Sequence, residues 1–215
     1  MLLDRKIARQ TADLLLQINA IKLDLNHPFV WASGLKSPIY CNNRLVLSHI
    51  SIRTKIVSWL CDAIENEITS KPYTIAGIAT GAIGIASLVA MQLNCPYFNL
   101  HSQPFSLRRK QEKTQLIVIE DLVSTGKSSL GALEHIDLKT YTVAGLFCLF
   151  TYGFESTDEK FKKHNIDFYS LCDYSHLLKQ VKHQGGFNES DLESLGLWHK
   201  DPYKWSVYFD KRTNR

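Results

Sequence analysis

The sequence predicts an α/β fold, a doubly wound and mostly parallel sheet preceded by an N-terminal cap, or hood. Three observations carry this reading. Short, continuous apolar runs recur after residue 70 (TIAGIA, LIVIE and YTVAGLFCLF) and read as strands covered on both faces. Segments of helical period separate them, so strands and helices alternate as in layered α/β proteins. Glycine-bearing turns follow the first two runs, at the strand ends where ligands of such sheets bind. With 215 residues, 45% of them apolar and 21% charged, the chain can bury a core and is neither disordered nor collagen-like. It reads as one domain over 1–215, divided into helices and cap (1–70), core sheet (71–180) and tail (181–215).

From the N-terminus, Ile7, Leu14, Leu15, Ile18 and Ile21 recur at spacings near 3.6 and predict an amphipathic helix over 2–22. NHPFVWASGLKSPIYCNNR sets two short apolar runs, Phe29–Trp31 and Ile39–Cys41, among Pro, Gly and Asn, and predicts a hairpin or irregular cap. Residues 51–68 return to helical period, with Ile52, Ile56, Val57, Leu60 and Ile64 on one face. Strands are expected at 74–79, 97–100, 116–120, 141–150 and 167–171. Helices are expected after the turn TGAIG to about Leu93, from about Ser128, and around 158–164. The tail carries a capped helix from Asn188 or Ser190 to His199 and an aromatic end, DPYKWSVYF, which reads as a packing surface.

Composition narrows the function classes. No apolar run approaches the roughly 18 residues that span a bilayer, and MLLDRKIARQ lacks the apolar centre of a signal peptide. A soluble, cytoplasmic chain without membrane partners is therefore expected. The five cysteines, Cys41, Cys61, Cys95, Cys148 and Cys172, are odd in number, widely spaced and form no CxxC pair, as reduced core thiols do. A net charge of +4 is too mild to imply nucleic acid. Cys172 and His176, with Asp173 and His183, lack a fourth partner at fixed spacing and are not assigned as metal ligands. No GxSxG or HExxH signature occurs.

The most informative segment is LIVIEDLVSTGKSS, residues 116–129. Free N–H groups at a helix start, with the hydroxyls of Ser124, Thr125 and Ser128 and the opening at Gly126, form a phosphate cradle. The adjacent carboxylates Glu120 and Asp121 would repel that phosphate but can accept hydrogen bonds from a vicinal diol. Phosphate and diol together describe a ribose 5-phosphate. An ordinary strand, turn and helix cap remains an alternative. Gly126-Lys127-Ser128 imitates the end of a P-loop, but the first glycine of that motif falls at Asp121. In GIATGAIGIAS, residues 77–87, a dinucleotide fingerprint lacks its first glycine, and Asn99, Leu100 and His101 stand where an acidic ribose ligand should follow.

Residues 116–129 resemble the phosphoribosyl pyrophosphate (PRPP) motif of type I phosphoribosyltransferases, with Lys127 where the family commonly has a second glycine. The segment FVWASGLKSPIYCNNR is similar to the signature of orotate phosphoribosyltransferases, matching at Phe29, Ser33, Gly34, Lys36, Ser37, Pro38, Ile39, Tyr40, Asn43 and Arg44. The likeness extends through FTYGFE (150–155) and LCDYSHLL (171–178). It implies the type I phosphoribosyltransferase fold and transfer of the 5-phosphoribosyl group from PRPP to orotate. Glu120, Asp121, Leu122, Val123, Ser124, Thr125, Gly126, Lys127 and Ser128 would bind PRPP, with Thr80, Gly81 and Ala82 at its pyrophosphate. Lys36 and Ser124 would meet orotate, and Asp121 and Lys36 would serve catalysis. Mg²⁺ would accompany PRPP without a direct protein ligand, and the family's homodimers imply self-association.

One interval departs from the family. Its mobile loop of pattern Arg-x-Lys-x-Lys-x-His-Gly is shortened here, and His101, Gln103 and Phe105 stand where the cations would fall. Arg108, Arg109, Lys110 and Lys113 are near but read as a solvated loop face. Two other classes therefore stay open, a PRPP- or nucleotide-binding pseudoenzyme and a phosphoribosyltransferase for another base.

Overall fold

The computed structural model describes residues 2–31, 34–101 and 114–213. Helix α1 (Arg5–Gln17) begins at Asp4, whose carboxylate accepts the Ile7 N–H at 2.8 Å. It ends short of the predicted residue 22, because Asn19 turns left-handed at φ 54° and the chain enters β1 (Ile21–Leu23). Ile21 keeps the helical spacing yet is buried as a strand residue. The expected hairpin is also redistributed. The two apolar runs lie in separate antiparallel ribbons, β2 (Phe29–Val30) with β3 (Lys36–Ser37), and β1 with β4 (Ile39–Cys41). Trp31 donates to the Leu35 carbonyl at 2.9 Å, which closes the first ribbon too early for Phe29 to reach Ile39. A 3₁₀ helix (Asn43–Ser48) and α2 (Ile50–Glu67) follow, and α2 buries the five apolar residues its period marked.

The main sheet contains β5 (Tyr73–Ile78), β6 (Tyr97–Leu100), β7 (Thr114–Val123), β8 (Tyr141–Thr151) and β9 (Phe168–Asp173). All its pairings are parallel, in the order β6-β5-β7-β8-β9. Alternate residues of β7 feed two cores. Ile117 and Ile119 face the larger, shared with α1, α2 and α3 (Ile83–Gln92). Leu116 and Val118 face the smaller, with Leu130 and Leu133 of α4 (Lys127–Leu133) and Phe161 of α5 (Glu155–Lys163). Helices thus cover both faces, as predicted, and the central strands read as uninterrupted apolar runs for that reason.

Helix α6 (Tyr174–Gln184) starts at Asp173, which accepts the His176 N–H at 2.9 Å. Cys172 lies on β9, and Asp173 with His176 forms the cap of α6. In the tail, Asn188 and Asp191 make a reciprocal capping box for α7 (Glu189–Lys200), and the aromatic end is a helix of its own, α8 (Pro202–Thr213). Trp198 is fully buried, Trp205 and Phe209 nearly so. The five cysteines are free thiols. Among the described residues no helix is long and apolar enough to cross a membrane.

Candidate functional site

Strand β7 runs on to Val123, past the end expected at Glu120, so both acids lie within it. Leu122 and Val123 are likewise strand residues, paired with Phe150 and Thr151, and Val123 is buried. The chain then bends through Ser124, Thr125 and Gly126, and α4 begins at Lys127. Gly126 adopts φ 73°, and a Cβ there would stand 3.0 Å from the Phe161 ring, so the bend needs glycine on two counts. Helix α5 braces it from outside. Thr157 Oγ1 donates to the Ser124 carbonyl at 2.9 Å and Lys160 Nζ to the Thr125 carbonyl at 3.0 Å. With its carbonyls held from behind, the bend leaves Thr125, Lys127 and Ser128 exposed beside the first N–H groups of α4, which have no acceptor within the helix.

The two acids have different surroundings. Glu120 is 5% exposed. Its Oε2 accepts from Ser129 Oγ and its Oε1 from the Asp121 N–H, both at 3.1 Å. Burial first, then the neighbouring Asp121 carboxylate, pushes the Glu120 carboxyl up to about 9, which favours its protonated form. Glu120 is thus an enclosed acid that joins β7 to α4. Asp121 is half-buried, and its carboxylate lies against Gly81, where a Cβ would come within 2.5 Å of Asp121 Cγ.

Gly81 belongs to the turn after β5. The Ala79–Thr80 peptide is cis, Thr80 is exposed and Gly81 half-buried. Ala82 is fully buried and its N–H is already donated to the Ile78 carbonyl at 3.1 Å, which leaves Thr80 and Gly81 as the open part of the turn. This turn and the bend after β7 thus meet at one sheet edge through Asp121.

The cap reaches this edge by another residue. Asn43 is 2% exposed, and its Nδ2 donates to the Asp121 carbonyl at 2.6 Å. Lys36 is engaged elsewhere. Its ammonium pairs with Asp210 of α8 and lies 5.2 Å from the centre of the Phe209 ring, while its N–H donates to Ser206 Oγ at 3.0 Å. Ser33, Gln103, Phe105, Arg108, Arg109, Lys110 and Lys113 lie outside the described residues; His101 is described and exposed. Sequence reasoning missed the bracing by Thr157, Lys160 and Phe161. Their i, i+3 and i, i+4 placement on an amphipathic helix carries no mark of what they face.

No protein-family model matches the chain. An orotate phosphoribosyltransferase of Phocaeicola vulgatus is 41% identical over 203 residues, spanning 91% of this chain and 95% of that one. The chain belongs to the orotate phosphoribosyltransferase family. Orotate phosphoribosyltransferases of Porphyromonas gingivalis (36% identical) and Bacteroides fragilis (38%) each match 94% of this chain and nearly all of their own length. Among solved structures, orotate phosphoribosyltransferase from Aeropyrum pernix superposes with a TM-score of 0.68 at 22% identity, over 80% of this chain and 99% of that one. UMP synthase from Leishmania donovani gives 0.72 at 20% identity, over 89% of this chain and 42% of that one. At these identities the superpositions establish the type I phosphoribosyltransferase fold. In this family member the acidic strand end, the glycine turn and the braced bend are the parts that the fold brings together.

Proposed function

We propose that the chain is an orotate phosphoribosyltransferase in activity as well as descent, transferring the 5-phosphoribosyl group of PRPP to orotate and releasing pyrophosphate and orotidine 5′-monophosphate. The observation that carries this reading is the contact of Asp121 with Gly81. It sets a carboxylate beside an open backbone turn, a few residues before the glycine bend that starts α4. A ligand with a phosphate at one end, a diol in the middle and a diphosphate at C1 matches that order.

The bend at 124–128 would hold the 5-phosphate through the first N–H groups of α4 and the hydroxyls of Ser124, Thr125 and Ser128, with exposed Lys127 adding a cation. Asp121 would accept from the ribose hydroxyls, while enclosed Glu120 keeps Asp121 and Ser129 in register. Thr80 and Gly81 would face the diphosphate. In the reaction orotate N1 bonds to C1 as the C1–O bond breaks, and charge accumulates on the departing pyrophosphate, so fixed donors aimed there lower the barrier. Lys36 would meet an anion near the base after exchanging its partner Asp210 for the ligand. Among the described residues no group of three or more His, Cys, Asp or Glu could hold a metal ion. Mg²⁺ would enter with PRPP, beside Asp121 and the open turn, and would neutralise charge on the leaving group. A homodimer in the cytoplasm accompanies this reading, as the family resemblance implies.

The test is purified protein with Mg²⁺, PRPP and orotate, following loss of orotate absorbance, beside a PRPP titration. Turnover that falls by about 10²-fold or more in Asp121→Asn supports the reading. PRPP binding without turnover supports the pseudoenzyme, and turnover with a different base only supports a changed specificity. Absence of both binding and turnover would refute the assignment.

A further inference from the structure

The peptide of Asp121 is held in an unusual way for a strand residue. Its neighbours Glu120 and Leu122 pair with Cys148 and Phe150 of β8. The Asp121 N–H and C=O are instead met by side chains, the Glu120 carboxyl and the Asn43 amide. Asn43 comes from the cap, 78 residues away in sequence, and its contact is the shorter of the two at 2.6 Å.

The direction of the amide is also fixed. Cys41 Sγ donates to Asn43 Oδ1 at 3.1 Å, and burial holds that thiol above its ordinary range, so it remains a donor. With Oδ1 occupied, Nδ2 faces the Asp121 carbonyl. A continuous polar chain results, from the Cys41 thiol through Asn43, the Asp121 peptide and Glu120 to Ser129 at the start of α4. It joins the cap to the phosphate bend and passes through Asp121, whose side chain lies on the glycine turn. Networks of this kind rigidify what they enclose when every member is satisfied.

We infer that Asn43 is a positioning residue, which fixes the Asp121 peptide and thereby aims the carboxylate that grips the ribose. The inference rests on the reading of Asp121 given above. Asn43 touches no reacting atom in this scheme. It acts by denying the Asp121 peptide the rotation that would swing its side chain off Gly81, and so couples the seating of the cap to the sugar site.

Asn43→Asp tests this, because it keeps the shape and replaces the donor by an acceptor. The new carboxyl would face the Cys41 thiol on β4 and the Asp121 carbonyl on β7, with the acid pair Glu120 and Asp121 beyond and Arg44 exposed next in the chain. Burial and the facing carbonyl oxygen favour its protonated form as pH falls, and it can then donate again. We expect KM for PRPP about tenfold above wild type near pH 8, with kcat changed much less, and a KM ratio that returns towards one near pH 6. A residue that merely supports the fold would show no such recovery. KM within about twofold of wild type at both pH values, or a ratio independent of pH, overturns the inference. Cys41→Ala, which leaves the amide free to reverse, serves if the first variant does not fold. It should raise KM for PRPP about threefold, and an unchanged KM likewise overturns the inference. Wild-type protein that neither binds PRPP nor turns over would refute the proposed function itself, an outcome read before any variant is made.

Discussion

Gly81→Ala isolates the function of the glycine turn from its stability. Gly81 does not adopt a positive φ, so alanine is tolerated by the backbone, and loss of unfolded-state freedom would stabilise the chain by about 0.4–1 kcal/mol. The obstacle is local. The added Cβ would stand 2.5 Å from Asp121 Cγ, and closer to Oδ1, against an ordinary carbon–carbon contact of about 3.5 Å or more. Either the turn or the carboxylate must give way by about 1 Å, and the carboxylate, at the end of a short side chain, moves more easily than the backbone. Since a misplacement of that size costs about 10²-fold in a preorganised site, kcat/KM for PRPP should fall by about that factor. The melting temperature should stay within a few degrees of wild type, roughly what 1 kcal/mol gives a chain of this size. Steady-state kinetics and a thermal melt on the same preparation read both quantities. Activity within about threefold of wild type in the folded variant would refute the placement of Asp121 at the sugar.

Three further outcomes follow from the same geometry. Because the Glu120 carboxyl sits near 9 in the folded chain against 4.5 unfolded, its contribution to stability is full below about 4.5 and is lost as pH rises towards 9. Glu120→Gln should therefore gain stability relative to wild type as pH rises over that interval, measured by urea denaturation at several pH values, and a gap independent of pH would contradict a protonated Glu120. Gly126→Ala, strained at φ 73° and pressed on Phe161, should lose about 1–3 kcal/mol in urea denaturation and weaken PRPP binding in a titration. Asp210→Asn should release Lys36 at little cost, since both side chains are partly exposed, and raise PRPP or orotate affinity by about two- to fivefold in calorimetric titration. An unchanged or weaker affinity would mean that Asp210 does not compete with the ligand.

The central sheet was legible because its strands are covered on both faces. Tyr97 to Leu100 matches β6, and the longer runs differ from β7 and β8 only at their ends. The cap was not, because its four strands have two or three residues each, too few to show a period, and their pairing depends on where Trp31 and Asn19 turn the chain. In the site, the acidic pair and both glycine turns could be found from residue type and spacing. What escaped was what holds them. Whether Glu120 is ionised depends on Ser129 and α4 folding over it, and the partner of Lys36 comes from 174 positions later in the chain, a contact between residues 36 and 210 that no local pattern encodes. Ala82 shows the same limit, since its N–H looks available in a turn and is consumed by Ile78 once the turn closes.

The aromatic cluster that seals the cap against the tail has a practical consequence. Trp31, next to the first ribbon, lies edge-on to Trp198 of α7 with ring centres 5.8 Å apart, and Tyr152 at the end of β8 is 5.6 Å from Trp31 and 5.5 Å from Trp198. A shift of the cap against the tail would draw partly exposed Trp31 away from Trp198 and admit water to the buried indole. Of the four tryptophans, Trp31 and Trp198 would thus report the seating of the cap, and replacing Trp59 and Trp205 by phenylalanine would let stopped-flow emission read it without a dye.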